Sequence, residues 1–165
     1  MRSGDYMEKY DVKFKKKFGQ NFLKDINIVK KIVRCADIKE DSLVIEVGPG
    51  GAIMTRELAE AANNVVAYEI DTELEMELNK RLEGLSNVDI IFQDFLVSDL
   101  VEDVKKYNYK HLYFVSNVPY YITTPILMKI IESGLPFKKI VKQVQKDGGD
   151  RFSSICGHKE YGLIT

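Results

Sequence analysis

The sequence predicts an α/β protein with a parallel sheet and helices on both of its faces. Five β-branched or aromatic runs alternate with stretches whose apolar residues have helical spacing, and this alternation is typical of parallel strands linked by helices. The first clear strand runs directly into a glycine loop, Gly48-Pro49-Gly50-Gly51-Ala52, and then a helix. Polar residues follow four of the strands at their carboxyl ends, where such sheets bind ligands.

The elements follow from local patterns taken in chain order. Apolar residues at Ile28, Val29, Ile32 and Val33 have the helical period and predict a helix over Ile26–Ala36. The same two criteria, helical spacing for helices and β-branched or aromatic runs for strands, assign the remaining elements. Strands are predicted over 41–47, 65–71, 88–92, 112–115 and 139–144, and helices over 53–62, 72–82, 98–106 and 125–133.

The bulk composition is that of one globular domain. The chain has 165 residues, of which 45% are hydrophobic and 30% charged, which argues against disorder or a fibrous protein. No apolar run approaches the roughly 20 residues of a membrane-spanning helix, and no secretory signal is visible. Cys35 and Cys156 match no metal or redox spacing, and free thiols fit a reducing compartment. We therefore expect a cytoplasmic protein with no membrane partner and no metal.

The charge is distributed unevenly along the chain. Residues 1–34 carry ten Lys/Arg against four Asp/Glu, a net +6, so the remainder carries −7 of the overall −1. This asymmetry fits either a contact with a polyanion or a solvated basic arm. Lys15, Lys16 and Lys17 stand between Phe14 and Phe18, a composition that suits phosphate contact with stacking. We expect residues 1–18 to form a mobile basic arm and residues 19–165 the main domain.

The glycine loop and the acid that ends the second strand suggest a nucleoside site. Gly48 and Gly50 would let the backbone approach a ligand closely, and a phosphate-binding P-loop is absent because no Lys-Ser/Thr follows. Glu69 lies about 20 residues beyond the first glycine, where a carboxylate typically accepts hydrogen bonds from ribose hydroxyls. The alternative for Glu69 is an acid that favours the following helix N-terminus beside Asp71.

Asp94 and Phe95, at the end of the third strand, could pair with an adenine amino group and cover its ring. Asp94 could equally cap the helix that follows it. An adenosine site fits NAD or S-adenosylmethionine. Neither His111 nor His158 is well placed as a proton relay for NAD chemistry, so S-adenosylmethionine is favoured.

The stretch Ser116-Asn117-Val118-Pro119-Tyr120-Tyr121 follows the fourth strand. The Asn117 amide offers an acceptor and donors, Pro119 stiffens the loop, and Tyr120 offers a flat face. This combination suits a planar ligand with an exocyclic amino group. The alternative is a proline turn after a core strand, in which the tyrosines only pack.

Together these motifs resemble the small-subunit ribosomal RNA adenine dimethyltransferases, the KsgA-type family, over about residues 13–165. The matching stretches are 17–23 (KFGQNFL), 46–50 (EVGPG), 69–71 (EID), 93–94 (QD), 117–120 (NVPY) and 159–162 (KEYG). The resemblance implies a Rossmann-like class I S-adenosylmethionine-dependent methyltransferase domain, acting on small-subunit rRNA in the immature ribosomal subunit.

The resemblance also implies roles for individual residues. Cofactor contacts are expected at Gln20, Asn21, Leu23, Gly48, Gly50, Glu69, Ile70, Asp94, Phe95 and Asn117. Asn117, Pro119 and Tyr120 are expected to hold and align the target adenine, which is extruded from its stack. RNA contacts are expected at Lys15, Lys16, Lys17, Tyr120 and Tyr121.

The chain departs from the family pattern in three places. Ala52 stands at the third glycine position of the loop, and Gly148-Gly149 interrupts the helix expected after the fifth strand. The chain ends at Thr165, where closing antiparallel strands would begin and before the family's helical carboxyl-terminal domain. We therefore expect a truncated sheet lacking its last strands, low activity and self-association through an exposed edge.

Two alternatives of function remain open on this sequence. One is a large-subunit rRNA adenine methylase of the macrolide-resistance type, which shares the fold and the asparagine motif. The other is a non-catalytic assembly or transcription factor on the same fold.

Overall fold

The computed structural model describes residues 25–118, 122–145 and 152–158. Five α-helices are described: α1 (Ile26–Ala36), α2 (Ile53–Ala61), α3 (Glu75–Arg81), α4 (Leu100–Val104) and α5 (Thr123–Glu132). Six strands are described: β1 (Ser42–Val47), β2 (Asn64–Tyr68), β3 (Val88–Ile91), β4 (His111–Ser116), β5 (Phe137–Gln145) and β6 (Phe152–His158). Short 3-10 turns span Thr72–Leu74 and Phe95–Val97.

The six strands form one sheet in the order β3-β2-β1-β4-β5-β6. The strands β1 to β5 are parallel, and β6 pairs antiparallel with β5. The order reverses between β1 and β4, and the crevice at such a reversal is where open α/β sheets bind ligands.

Helices cover both faces of the sheet, as the sequence predicts. On one face α1 and α2 pack Val29, Ile32, Met54 and Leu58 against strand residues that include Val115. On the opposite face α4 and α5 pack over a second apolar cluster built on the aromatic side chains of the strands. Side chains alternate between faces along each strand, so the two clusters draw on alternate residues of β1 and β4. The predicted α/β architecture is confirmed.

The carboxyl-terminal strand is the main difference from the sequence prediction. The family pattern has a helix through Phe152, which the two glycines were expected to interrupt, whereas Phe152–His158 forms β6, in register with Gln145–Lys139 of β5. The stretch Asp147-Gly148-Gly149-Asp150 lies between the two strands in the sequence. From Phe152 the chain therefore forms a strand and not an interrupted helix.

The expectation of free thiols is also wrong for Cys35, which is disulfide-bonded. Helix α1 packs across β5, and the Lys139 ammonium lies 3.4 Å from the Cys35 carbonyl oxygen. The fold thus brings α1 beside a part of the chain about one hundred residues away, a proximity that cysteine spacing does not reveal. The free-thiol argument for a reducing compartment no longer holds.

Two features are absent from the described residues. No helix there is long and apolar enough to cross a membrane. No group of three or more His, Cys, Asp or Glu side chains is arranged to hold a metal ion in that part of the chain.

Candidate functional site

The strand register brings the predicted site residues to one edge of the sheet. Val47 is in register with both Tyr68 and Ser116, and Tyr68 is in register with Ile91. The residues that follow these positions therefore leave the sheet side by side. The Gly48 N–H donates to the Tyr68 carbonyl at 3.0 Å, which fixes the start of the glycine loop against the end of β2.

The glycine loop makes a close contact with the asparagine loop. Gly48 has φ +76°, and a Cβ built there would lie 3.3 Å from Cγ1 of Val118. Gly50 is also left-handed, with φ +51°. Both glycines meet the sequence prediction of a backbone that only glycine adopts readily, and Val118 lies directly over the first of them.

Ala52 stands at the third glycine position of the loop, and it has a left-handed φ of 62°. Its N–H donates to the Pro49 carbonyl at 2.8 Å, and its own carbonyl accepts from the Arg56 N–H at 3.0 Å. The residue is fully buried against Leu78 and Leu82 of the α3 region. The loop therefore keeps the backbone bend of a glycine although the side chain is a methyl group.

Glu69 stands at the end of β2 with its side chain largely buried, at 6% exposure. Its Oε1 accepts from the Asp71 N–H at 2.9 Å, and Asp71 in turn caps the 3-10 turn by accepting from the Glu73 N–H. The helix-capping role considered for Glu69 is thus taken by Asp71. Between them Ile70 is 47% exposed and offers an aliphatic surface beside the carboxylate.

Asp94 caps the 3-10 turn after β3, because its Oδ1 accepts from the Leu96 N–H at 2.9 Å. The Phe95 ring is 3% exposed and packs edge-on against Tyr68, with centroids 5.1 Å apart. This packing leaves little of the ring exposed to a ligand. Whether Phe95 contacts a cofactor stays a prediction.

Lys129 of α5 holds this turn on the face of the sheet that the turn and the helix share. Its ammonium donates to the Ser98 carbonyl at 2.6 Å and the Leu96 carbonyl at 3.2 Å, and it lies 5.6 Å from the centre of the Phe95 ring. These contacts fix the turn that carries Asp94.

Asn117 follows β4 directly and is half-buried. Its side-chain amide, which carries a carbonyl acceptor and an NH2 donor, makes no hydrogen bond with another described residue. The next residue, Val118, lies close to Gly48, so the asparagine loop begins beside the glycine loop.

Glu46 is a functional candidate that the sequence analysis quoted in a motif but did not name as a site residue. Its carboxyl is fully buried one residue before Val47, and Thr55 Oγ1 donates to Oε2 at 2.7 Å. The other oxygen, Oε1, has no hydrogen-bond partner. The pKa of Glu46 is raised to about 8, mainly by burial and to a smaller extent by the nearby Glu69, against the lowering effect of the Thr55 hydrogen bond. The sequence signal that could have identified it is an acidic residue within an otherwise apolar strand.

Several predicted site residues lie outside the described residues. They are Lys15, Lys16, Lys17, Gln20, Asn21, Leu23, Pro119, Tyr120 and Tyr121. The 1–18 arm, Gly148-Gly149 and the 159–162 stretch lie outside them as well. Their predicted roles stay predictions, whereas Gly48, Gly50, Glu69, Ile70 and Asn117 are found around the ends of β1, β2 and β4.

Comparison with known proteins gives a consistent result. The family described as "Ribosomal RNA adenine dimethylase" matches residues 11–165. Ribosomal RNA small subunit methyltransferase A of Ligilactobacillus salivarius is 44% identical over 167 residues, which cover 99% of this chain and 56% of that protein. The chain thus spans little more than half the length of this curated relative.

Solved structures agree with the sequence comparison. The 23S rRNA methyltransferase ErmE has a TM-score of 0.62 at 30% identity, covering 72% of this chain and 46% of its own. A dimethyladenosine transferase from Plasmodium falciparum has a TM-score of 0.61 at 29% identity, covering 73% and 42%. The fold is the Rossmann-like fold of class I methyltransferases.

Proposed function

This chain belongs to the ribosomal RNA adenine dimethylase family, and from that premise we propose that it takes part in methylation of adenine N6 in small-subunit rRNA. The donor in this proposal is S-adenosylmethionine, and two successive transfers give dimethyladenine. The RNA partner in the proposal is the immature small ribosomal subunit.

The described residues fit an adenosine-containing cofactor. Gly48 has a left-handed φ and no side chain, so its backbone can approach a ligand closely. Glu69 would accept hydrogen bonds from ribose hydroxyls, and Ile70 would cover one face of the adenine. Asp94 keeps Oδ2 for the adenine amino group while Oδ1 caps the turn. When bound, S-adenosylmethionine supplies a methyl group already activated by its sulfonium.

Asn117 aligns the target adenine in this proposal. The N6 hydrogens donate to the Asn117 side-chain carbonyl and to the backbone carbonyl of Val118 or Pro119, which orients the N6 lone pair. Tyr120 stacks on the extruded base. Alignment contributes most of the rate, because positioning alone can supply several kcal/mol of the barrier. No strong base is required of the protein.

One observation most directly supports the proposal that the cofactor and the target base bind in one common space. Val118, next to Asn117, would contact a Cβ on Gly48 at 3.3 Å. The asparagine loop and the glycine loop therefore border the same space, which a transfer between two bound molecules needs.

The small subunit is preferred over the large subunit as the RNA target. The curated small-subunit enzyme is 44% identical to this chain, whereas the structurally similar 23S rRNA enzyme is 30% identical. A primer-extension map of methylated adenines on both immature subunits would decide between them. Modification of large-subunit rRNA alone would contradict this preference.

Replacing Asn117 by alanine tests the proposed alignment. We expect Asn117→Ala to lower the single-turnover rate of tritium transfer from S-adenosylmethionine to immature small subunits by about 10²-fold or more, because the amino group loses its acceptor. Cofactor affinity measured by calorimetry should fall much less. The matched control is Asn79→Ala, on the exposed side of α3, which should leave both measurements unchanged.

A single-turnover rate close to that of the unsubstituted protein would contradict the role of Asn117. If the unsubstituted protein binds the cofactor but methylates no RNA, catalysis by this chain is rejected, and a non-catalytic assembly factor becomes the better account.

A further inference from the structure

A half-buried lysine, Lys142, lies within β5 at the level where β4 ends. Lys142 is in register with Ser116 on β4 and, across the other side, with Ile155 on β6. Ile140, two residues earlier on the same strand, packs on the face covered by α4 and α5, so alternation assigns Lys142 to that face too. Lys142 forms no ion pair with any described residue, which is unusual for a lysine removed from solvent.

Two hydroxyl groups without partners lie on the same face. Ser116 is 1% exposed, and its Cα partner on β5 is Lys142, about 4.8 Å away in a paired sheet. Neither Ser116 Oγ nor Thr123 Oγ1, in the first turn of α5, has a hydrogen-bond partner among the residues that the structure describes, although both atoms are buried. The N-cap of α5, Ile122, provides no side-chain cap for the helix N–H groups.

These groups together suit an anion. An ammonium, two hydroxyl donors and uncapped helix N–H groups are all positive or can donate, and no acid of the described residues pairs with the lysine. Buried polar groups without partners are costly unless a ligand satisfies them. A phosphate oxygen would accept from each of these groups.

The position within the sheet indicates which anion. The cofactor residues Glu69 and Asp94 follow β2 and β3, on one side of the reversal in strand order. Lys142 and Ser116 are on β5 and β4, on the other side, and Ser116 is the residue before Asn117. The anion is thus held beside the target base rather than beside the cofactor.

We propose that Lys142, Ser116 and Thr123 form a phosphate site that holds a backbone phosphodiester of the RNA strand next to the extruded adenosine. The inference rests on the proposed function for the identity of the RNA. It goes beyond that function by naming a contact to the RNA backbone that positions the target nucleotide without contacting its base.

Charge on Lys142 depends on pH within an accessible range. Burial lowers the pKa of Lys142 to about 8. Its two register partners are uncharged: Ser116 on β4 and Ile155 on β6. The charged residue of α5 nearest the sheet, Lys129, is bound to the Leu96 and Ser98 carbonyls. A bound phosphate would keep the lysine protonated, so RNA affinity should weaken as the pH rises above about 8.

The salt dependence of RNA binding tests the phosphate contact. The probe is a short hairpin RNA with unpaired adenines, titrated between about 50 and about 400 mM salt. Lys142→Gln should weaken binding and make the slope of log affinity against log salt shallower by about 0.7, the value for one phosphate of a single strand. Lys142→Arg should keep the slope. Lys138→Gln, an exposed lysine at the opposite end of β5, is the matched control and should affect the slope less than Lys142→Gln does.

The pH series separates a phosphate contact from a packing effect. The unsubstituted protein should lose RNA affinity between pH 7 and pH 9, whereas Lys142→Arg should not, because an arginine stays charged throughout. An equal loss in both proteins would overturn the proposal. So would an unchanged slope in Lys142→Gln, provided that its thermal unfolding matches that of the unsubstituted protein.

Cofactor binding tests whether Lys142 contacts an RNA phosphate or the carboxylate of the cofactor. Calorimetry with S-adenosylmethionine should give the same affinity for Lys142→Gln as for the unsubstituted protein. A selective loss of cofactor affinity would overturn the proposal in favour of the cofactor carboxylate. The proposed function can fail while the phosphate site stands. In that case the unsubstituted protein transfers no methyl group, but Lys142→Gln still makes the salt dependence of RNA binding shallower.

Discussion

At the scale of single residues, Glu46 shows how the site is built on a buried acid. A carboxyl without exposure would be costly in its ionised form, and its one hydrogen bond, from Thr55, leaves Oε1 without a partner. Burial first, and then the charge of Glu69, hold its pKa at about 8. The folded protein therefore carries Glu46 as a neutral acid at neutral pH, directly before the glycine loop.

This acid predicts a pH dependence of stability. The fold raises the pKa of Glu46 from an ordinary value of 4.5 to about 8. Between these values the folded protein keeps a proton that the unfolded chain releases, so the free energy of unfolding should fall as the pH rises from about 4.5 to about 8, by a few kcal/mol. Urea unfolding from pH 5 to pH 9 should show this fall, and Glu46→Gln should largely remove it.

The control for this prediction is Glu60→Gln on α2. The Glu60 side chain is exposed and is solvated in the folded and the unfolded protein, so the stability profile should stay that of the unsubstituted protein. A profile of Glu46→Gln that still falls as steeply over the same pH range would show that another group is responsible.

At the scale of elements, the glycine loop and the asparagine loop depend on each other. The closeness of Gly48 and Val118 carries this dependence, because the glycine has a left-handed φ and a Cβ there would make a tight contact, at 3.3 Å, with Cγ1 of Val118. Gly84 also has a left-handed φ, of +86°, but a Cβ there would meet nothing within 4 Å. A comparison of the two glycines therefore separates the free-energy cost of the left-handed φ from the cost of the tight Cβ contact.

We expect Gly48→Ala and Gly84→Ala to lower the free energy of unfolding by about 1–2 kcal/mol each through the backbone angle, as measured in urea. Only Gly48→Ala should also weaken S-adenosylmethionine binding, by about tenfold or more, because Val118 has to move and the cofactor space changes. Adding Val118→Ala to Gly48→Ala should recover part of the affinity, a coupling that the double-mutant cycle would measure. Independent effects of the two substitutions would contradict the proposed contact.

At the scale of the whole molecule, local signals predicted the parallel sheet but not its last strand. The helix over Ile26–Ala36 was predicted to the residue from the spacing of its apolar residues, a signal that lies within the segment itself. The structure adds the caps: Asp25 accepts from a backbone N–H at the start of the helix, and Asp37, with φ 49°, ends it. The strand β6 depends instead on pairing with β5 across Asp147-Gly148-Gly149-Asp150, and the family resemblance directed the prediction towards a helix there.

The candidate site divides in the same way. Gly48, Glu69 and Asn117 were predicted because parallel strands bring their carboxyl ends to one edge. The buried states of Glu46, Ser116 and Lys142 were not predicted, since they depend on which helix covers each face. The disulfide of Cys35 likewise depends on the packing of α1 near β5, which cysteine spacing does not record.

The two edges of the sheet differ, and this difference predicts where molecules associate. The edge strand β3 has four residues, Val88–Ile91, and Asp89 on it is exposed and accepts from the Tyr107 hydroxyl. A short strand with a charged side chain is a poor template for another chain. The other edge strand, β6, has seven residues, and no described strand pairs with its outer side. Self-association is therefore expected through β6 rather than β3.

Hydrogen exchange measured at two protein concentrations tests this expectation without any substitution. At about 100 µM, compared with about 5 µM, backbone amides of residues 152–158 should become more protected, because strand pairing between molecules satisfies N–H groups at a free edge. Amides of β3 are the internal control and should exchange at the same rate at both concentrations. Sedimentation velocity over the same range should show a larger species as β6 becomes protected. Protection of β3 instead, or association without any change in β6, would place the contact elsewhere on the molecule.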